Sequence, residues 1–303
     1  MSEPALVLEA VSRHFGDRRA LDGVTLSVPA GTLWGLIGPN GAGKSTTFNL
    51  LCGYLRPTAG TVRVLGVDPR RPGVLKGRVG VLPQDAALPS YLAVGPLLCY
   101  LGRLSGLEQP ERAARVALEQ VALSEAWDLP PTSLSHGMAR RVSIAQALMG
   151  DPPVVLLDEP TAGLDPRIAA EVRTLMQGMR GRATLLVSSH NLPELEALCD
   201  GAAILDHGKL VQAGTMRELT ARGSEFRIQV AKGTVPLEAI RGLAGVAQAS
   251  LRPDGLLQVG VDSGAGTPEA VLNATLRLLL DAGVEVTGVT QGQSLETRVL
   301  AVT

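Results

Sequence analysis

Aromatic residues are scarce in this chain: two Trp, three Tyr and three Phe make up 3% of its 303 residues. Proteins that grip single-stranded nucleic acid stack its bases on aromatic side chains, so that class is disfavoured. An excess of positive charge is also missing. The 28 Lys and Arg are matched by 29 Asp and Glu, for a formal net charge of −1, and no basic footprint for a phosphate backbone results. Nucleic acid is therefore not an expected partner. Cysteine is rare: Cys52, Cys99 and Cys199 lie far apart. They form no zinc spacing, and their odd number suits a reducing compartment in which each is a small buried apolar residue. Long hydrophobic runs are absent too. The richest stretches, 94–107 and 276–280, are short or broken by Gly, Pro and Arg and cannot span a bilayer. The opening Met-Ser-Glu-Pro-Ala has neither a basic region nor a continuous apolar stretch, so a soluble cytoplasmic chain is expected, with any membrane role passing through a partner.

What is present is ordinary globular material, 45% hydrophobic and 19% charged, long enough for two domains. Up to about residue 220, short apolar runs alternate with helical patterns, as in an α/β sheet protein. Strands are expected at 5–8, 25–28, 33–37, 61–64, 79–82, 154–157 and 184–188, with a hairpin of 202–206 and 209–213 closed at His207-Gly208. Between the strands at 79–82 and 154–157 the pattern is helical (97–104, 111–121 and 137–149), which predicts an inserted helical subdomain over about 86–150. Ala221-Arg222-Gly223-Ser224-Glu225 reads as a linker. The expected division is 1–222 and 223–303. The second part reads strand 226–231, helix 236–243, strands 246–252 and 256–262, helix 268–282 and strand 284–289, a small ferredoxin-like α+β unit with an accessory role.

The chemistry starts at Gly38-Pro39-Asn40-Gly41-Ala42-Gly43-Lys44-Ser45, directly after the apolar run Leu33–Ile37 and before a helix expected from Thr46. Strand, glycine-rich turn and helix together form a phosphate-binding loop, in which successive backbone N–H groups and the positive end of the helix face a phosphate chain. Lys44 is placed to reach the β- and γ-phosphates, and the Ser45 hydroxyl to take one Mg²⁺ position. A nucleoside triphosphate is the expected ligand. Further on, Val154-Val155-Leu156-Leu157 ends in Asp158-Glu159-Pro160. Ligands collect at the carboxyl ends of parallel strands, so the two acids should meet the phosphate loop. Asp158 would hold Mg²⁺ through water and Glu159 would act as the general base on an attacking water.

With these motifs, the chain over residues 4–220 resembles the ATP-binding subunits of ABC transporters. The resemblance implies a P-loop NTPase cassette with a mixed sheet and a helical subdomain, ATP and Mg²⁺ as cofactors, and ATPase activity. It also implies roles for single residues. Phe15 stands where the family stacks an aromatic on adenine; a core Phe is the other reading. Gln84, in Val81-Leu82-Pro83-Gln84, resembles the glutamine that touches Mg²⁺ and the attacking water, at the start of a segment facing the membrane partner. His190, in Ser188-Ser189-His190-Asn191, resembles the histidine that contacts the γ-phosphate. Asp165, in Gly163-Leu164-Asp165-Pro166, lies in the loop through which two protomers communicate, and it is also a natural helix N-cap.

The chain departs from the family in its signature, usually Leu-Ser-Gly-Gly-Gln. Here it reads Leu134-Ser135-His136-Gly137-Met138. Ser135 can still cap a helix and Gly137 still permits close backbone approach, so an altered but competent site is expected, a degenerate and slow half-site being the alternative. In the family this signature serves the nucleotide of a second protomer. The resemblance therefore implies a dimer, of two copies or of two related chains, closing around ATP beneath transmembrane permease subunits at the cytoplasmic face of the inner membrane. The stretch 198–215 and the tail Ser294-Leu295-Glu296 resemble subunits of ABC-2-type exporters, which favours export. A soluble ABC-type ATPase outside transport and a weakly active regulatory half of a heterodimer remain the alternatives.

Overall fold

The computed structural model describes residues 3–220, 225–262, 267–292 and 295–302; residues 221–224 of the expected linker and Ser294 of the tail lie outside the described residues. The chain divides into two compact units, Met1–Thr215 and Met216–Val302. The division falls seven residues before the 222/223 boundary read from the sequence, because the short helix Met216–Thr220 goes with the second unit.

The first unit runs β1 (Pro4–Phe15), β2 (Arg18–Pro29), β3 (Leu33–Ile37), α1 (Lys44–Leu51), β4 (Ala59–Val64), α2 (Pro72–Leu75), β5 (Val79–Leu82), α3 (Val94–Leu104), α4 (Pro110–Gln120), α5 (His136–Leu148), β6 (Val154–Asp158), α6 (Pro166–Gly178), β7 (Thr184–Ser188), α7 (Leu192–Leu198), β8 (Gly201–Asp206) and β9 (Lys209–Thr215). Six strands form one sheet in the order β5-β6-β7-β3-β8-β9, parallel except for β9. Every residue of β3, β6 and β7 is buried, as expected for strands covered on both faces, and their near-continuous apolar sequences follow from that. Edge strand β9 instead alternates exposed and half-buried positions. A second sheet, β2-β1-β4, is antiparallel.

Two of its strands are far longer than the sequence suggested, at twelve residues each. Register shifts interrupt the β1–β2 ladder, and Ala10 sits at φ 49° beside one of them. Such a bulge breaks the two-residue alternation, so the polar far end of the hairpin does not read as strand. Helices α3, α4 and α5 lie between β5 and β6 in the chain.

The second unit runs α8 (Met216–Thr220), β10 (Glu225–Lys232), α9 (Leu237–Arg241), β11 (Val246–Leu251), β12 (Leu256–Val261), α10 (Pro268–Asp281), β13 (Glu285–Gln291) and α11 (Leu295–Val302). Its antiparallel sheet has the order β11-β12-β10-β13, the split β-α-β-β-α-β arrangement of the ferredoxin-like fold. Phe226, Ile228, Ile240, Leu257, Val259, Val271 and Leu279 belong to its own core. Helix α11 occupies what the sequence showed only as a tail.

Candidate functional site

The central sheet brings three strand ends to one level. Parallel pairing matches Asp158 with Ser188 and Leu36 with Ser188, so the end of β3, where the glycine loop begins, and the acidic end of β6 stand at one level on either side of β7. The loop needs its glycines. A Cβ on Gly38 would lie 2.3 Å from the Leu205 carbonyl oxygen, and one on Gly43 2.7 Å from that of Ala20. Gly43 is also at φ 108° and precedes α1 without any side-chain cap. The first N–H groups of that helix therefore have no intrahelical acceptor and face the loop. Lys44 Nζ donates to the carbonyls of Gly38 (2.6 Å) and Pro39 (3.1 Å). Burial lowers the pKa of its ammonium, while Glu159 and Asp158 act in the opposite sense.

Ser188 organises the acidic end of β6. Its hydroxyl donates to Asp158 Oδ1 (2.5 Å) and accepts the Glu159 N–H (2.9 Å). The other carboxylate oxygen of Asp158 is 3.4 Å from the Ser45 hydroxyl. Glu159 is only 7% exposed and sits in the left-handed region at φ 52°. Its Oε1 is buried and makes no hydrogen bond, although His190 Nε2 is 3.1 Å away. The imidazole is thus the nearest basic nitrogen to this buried carboxylate oxygen.

These groups line one cavity of about 250 Å³, which gathers Asn40, Gly41, Gly43, Lys44, Ser45, Thr46, Gln84, Asp158, Glu159 and His190, together with Arg18 and Ala20 from β2. Gly38, Pro39 and Ala42 of the same loop are not among the residues that line the cavity. The remaining expected residues lie elsewhere. Phe15 is 45% exposed at the end of β1, with the Arg13 guanidinium 4.5 Å over its ring; it is paired with Arg18 across the hairpin, so it is not a core residue. Ser135 caps α5, accepting from the Met138 N–H at 3.2 Å, and the helix begins at His136, one residue earlier than expected. Asp165 caps α6 through the Arg167 N–H at 2.9 Å. These two caps belong to a single exposed cluster, because Gly137 packs toward Leu164 and Ile168, and a Cβ on Gly163 would come within 2.9 Å of His136 Nε2.

Four contributors escaped the sequence reading. Arg18 and Ala20 were hidden by the underestimated hairpin. Ser188 was inside a quoted motif, but its hydroxyl relay depends on strand pairing. Arg140, on α5, is 8% exposed and donates to four backbone carbonyls, those of Pro83 (3.3 Å), Gln84 (3.2 Å), Asp158 (2.7 Å) and Glu159 (2.6 Å). Burial lowers its pKa, against the opposing pull of Asp158 and Glu159.

A glycine loop between strand and helix, with a lysine inside it and acids at the end of the strand two places along the same sheet, defines a P-loop nucleoside triphosphatase. The ABC transporter family model matches residues 21–162. The daunorubicin resistance ATP-binding protein DrrA3 of Streptomyces coeruleorubidus is 36% identical over 296 residues, spanning 94% of this chain and 91% of that one. The Nod factor export ATP-binding protein I of Paraburkholderia xenovorans (strain LB400) is 36% identical over 225 residues, 73% of this chain and 74% of its own. Among solved structures, a dimeric ATP-binding cassette in a post-hydrolysis state with ADP and Pi superposes with a TM-score of 0.63 at 25% identity, over 70% of this chain and 99% of that one. The chain belongs to the ATP-binding subunits of ABC transporters. It is an ATPase.

Proposed function

We propose that this ATPase powers export through separate transmembrane subunits, by closing with a second cassette around ATP and reopening after hydrolysis. The observation that carries the reading is the separation of two sets of groups. Most of the phosphate loop, Gln84, Asp158, Glu159 and His190 line one cavity, while Ser135 and Asp165, both exposed, and the half-buried Gly137 lie outside it. One protomer then holds half of each site, and its α5 N-terminus serves the phosphates bound by the other. The second protomer is another copy or a related chain. Export, rather than import, is supported by relatives named for resistance and for export.

Within the site, Lys44 and the loop amides hold the β- and γ-phosphates. Glu159 takes a proton from the attacking water; its buried, unbonded Oε1 is the acceptor this step needs. His190 donates to the γ-phosphate, and Phe15 stacks on adenine with Arg13 on its other face. Ser45, Asp158 and Gln84 offer hard oxygen donors that fit Mg²⁺, which when bound neutralises charge on the β- and γ-phosphates. Among the described residues no helix is long and apolar enough to cross a membrane. Exposed Tyr91, Tyr100 and Leu104, which follow Gln84 in the chain, suit docking on a membrane subunit at the cytoplasmic face of the inner membrane. The second unit is an accessory to this cycle.

Purified chain assayed over a range of concentrations tests the reading. A specific ATPase rate that climbs with protein concentration is expected, and Glu159→Gln should lower kcat by at least about 100-fold while leaving an ATP-bound dimer. A variant that stays monomeric at saturating ATP overturns the shared site. One observation favours a second reading, a weakly active regulatory half of a heterodimer: His136 replaces the small signature residue and packs against Gly163. In that case the wild-type chain binds ATP but hydrolyses it only when a partner cassette is added.

A further inference from the structure

We infer that Arg140 is a positioning residue for ATP hydrolysis, one guanidinium fixing the Gln84 and Glu159 segments relative to each other and to the helix that starts at the Ser135 cap. The inference rests on the roles proposed above for Gln84, Asp158 and Glu159. It goes beyond them in assigning the part that holds them in register.

The argument begins where the sheet stops. Strands β5 and β6 pair in parallel up to Leu82 opposite Leu157. The next residue on β5 is Pro83, which has no N–H to donate, so the ladder cannot continue. Beyond that point the carbonyls of Pro83, Gln84, Asp158 and Glu159 turn to a single side chain from a different element. Arg140 Nη1 serves the first two at 3.3 and 3.2 Å, and Nη2 the last two at 2.7 and 2.6 Å. Charged donors in a rigid planar fork fix both distance and angle, which a single ammonium cannot do. The pair of short bonds falls on a strained link, because Glu159 at φ 52° is a non-glycine residue in the left-handed region. Such a conformation persists only where the surroundings over-determine it. Three constraints converge on it here: the Glu159 N–H is held by the Ser188 hydroxyl, its carbonyl by Arg140 and by the Ala162 N–H at 3.2 Å.

The consequence is functional because of what stands at each end of the clamp. Gln84 and Asp158 are the proposed metal ligands, and Glu159 is the proposed base. Removing the clamp shifts these three against one another, while the phosphate loop keeps its own supports in β3 and α1 and loses at most the long Ser45–Asp158 contact. ATP binding and hydrolysis therefore respond differently. Arg140 itself touches no reacting atom; it acts through the segments it holds.

The full-length chain carrying Arg140→Met or Arg140→Lys, beside wild type and Glu159→Gln, tests this. Expected for Arg140→Met are an ATP affinity in EDTA within about threefold of wild type, a kcat lowered by about 100-fold, and an Mg²⁺ concentration for half-maximal hydrolysis raised several-fold. Arg140→Lys should recover part of kcat and part of the Mg²⁺ shift. A wild-type kcat in both variants overturns the inference. So does a kcat that falls only in proportion to the folded fraction, with the Mg²⁺ half-saturation unmoved, since that is what a merely structural arginine gives. Should Arg140→Met not fold, Arg140→Lys carries the same comparison, and a wild-type Mg²⁺ half-saturation there is again the overturning result. Full hydrolysis by Glu159→Gln is a separate failure: it removes Glu159 as the base and leaves the Arg140 clamp to be judged on the metal dependence alone.

Discussion

Single residues in this chain are constrained less by their own chemistry than by what a few atoms near them forbid. Gly43 shows it best. Its φ of 108° disfavours any side chain, and an added Cβ would meet both a flexible Leu21 methyl at 2.6 Å and the fixed Ala20 carbonyl at 2.7 Å. Leu21 can turn aside but the backbone cannot, so Gly43→Ala should cost about 1–3 kcal/mol of stability and weaken ATP binding more than about tenfold; denaturant melts and equilibrium binding read the two effects separately. The cysteines show the converse, residues made inert by their surroundings. Burial, and then the nearby Asp158 charge, push the Cys52 thiol up to about 12, and burial raises that of Cys199 further. The thiolate is the reactive form. At pH 8 neither should be alkylated in the native protein, and labelling should appear only as denaturant unfolds the first unit.

At the scale of elements, legibility followed the distance over which each element is decided. Strands β3, β6 and β7 are buried along their whole length and built round apolar runs, Leu33–Ile37, Val154–Leu157 and Leu185–Val187, so composition alone reveals them. The glycine loop and the Asp158-Glu159 pair were legible as motifs because each is written in consecutive residues, and the structure brings them to one cavity. Strands β1 and β2 were only half visible, since their bulges break the pattern that identifies a strand. Arg140 was not visible at all. Its partners lie 56 and 57 residues away on one side and 18 and 19 on the other, and no local pattern marks such a convergence. The caps fall between these cases: the local role of Ser135 and Asp165 is a hydrogen bond to the helix that each begins, whereas the distant role is the one proposed above. Ser135 accepts the Met138 N–H, so Ser135→Ala should cost about 1 kcal/mol through the cap alone. If its hydroxyl also serves a partner's nucleotide, ATPase activity falls well beyond the unfolded fraction. Measuring stability and rate on the same preparation separates the two roles, and a rate that simply tracks folding leaves Ser135 as a cap.

The whole molecule joins two units whose interiors are built separately. The first unit's cluster includes Leu6, Leu8, Leu36, Phe48, Leu156 and Leu186, and the second unit's includes Phe226, Ile228, Leu257, Val259 and Leu279. All twelve residues lining the nucleotide cavity belong to the first. Arg140, Ser188 and the Ser135–Asp165 cluster belong to it as well. Cleaving the chain after Thr215 therefore removes none of the groups proposed above for either half-site, and it falls between the strand β9 and the helix α8 that clusters with the second unit. A fragment of residues 1–215 is expected to fold and to bind ATP within about threefold of the full chain, a difference of roughly 0.7 kcal/mol. Folding of the fragment with ATP binding lost would mean that residues 216–303 order the nucleotide site in a way its own residues do not reveal. Binding retained with the concentration dependence of hydrolysis abolished would locate the accessory role in the pairing of two cassettes, and so assign the second unit to the dimer rather than to the chemistry.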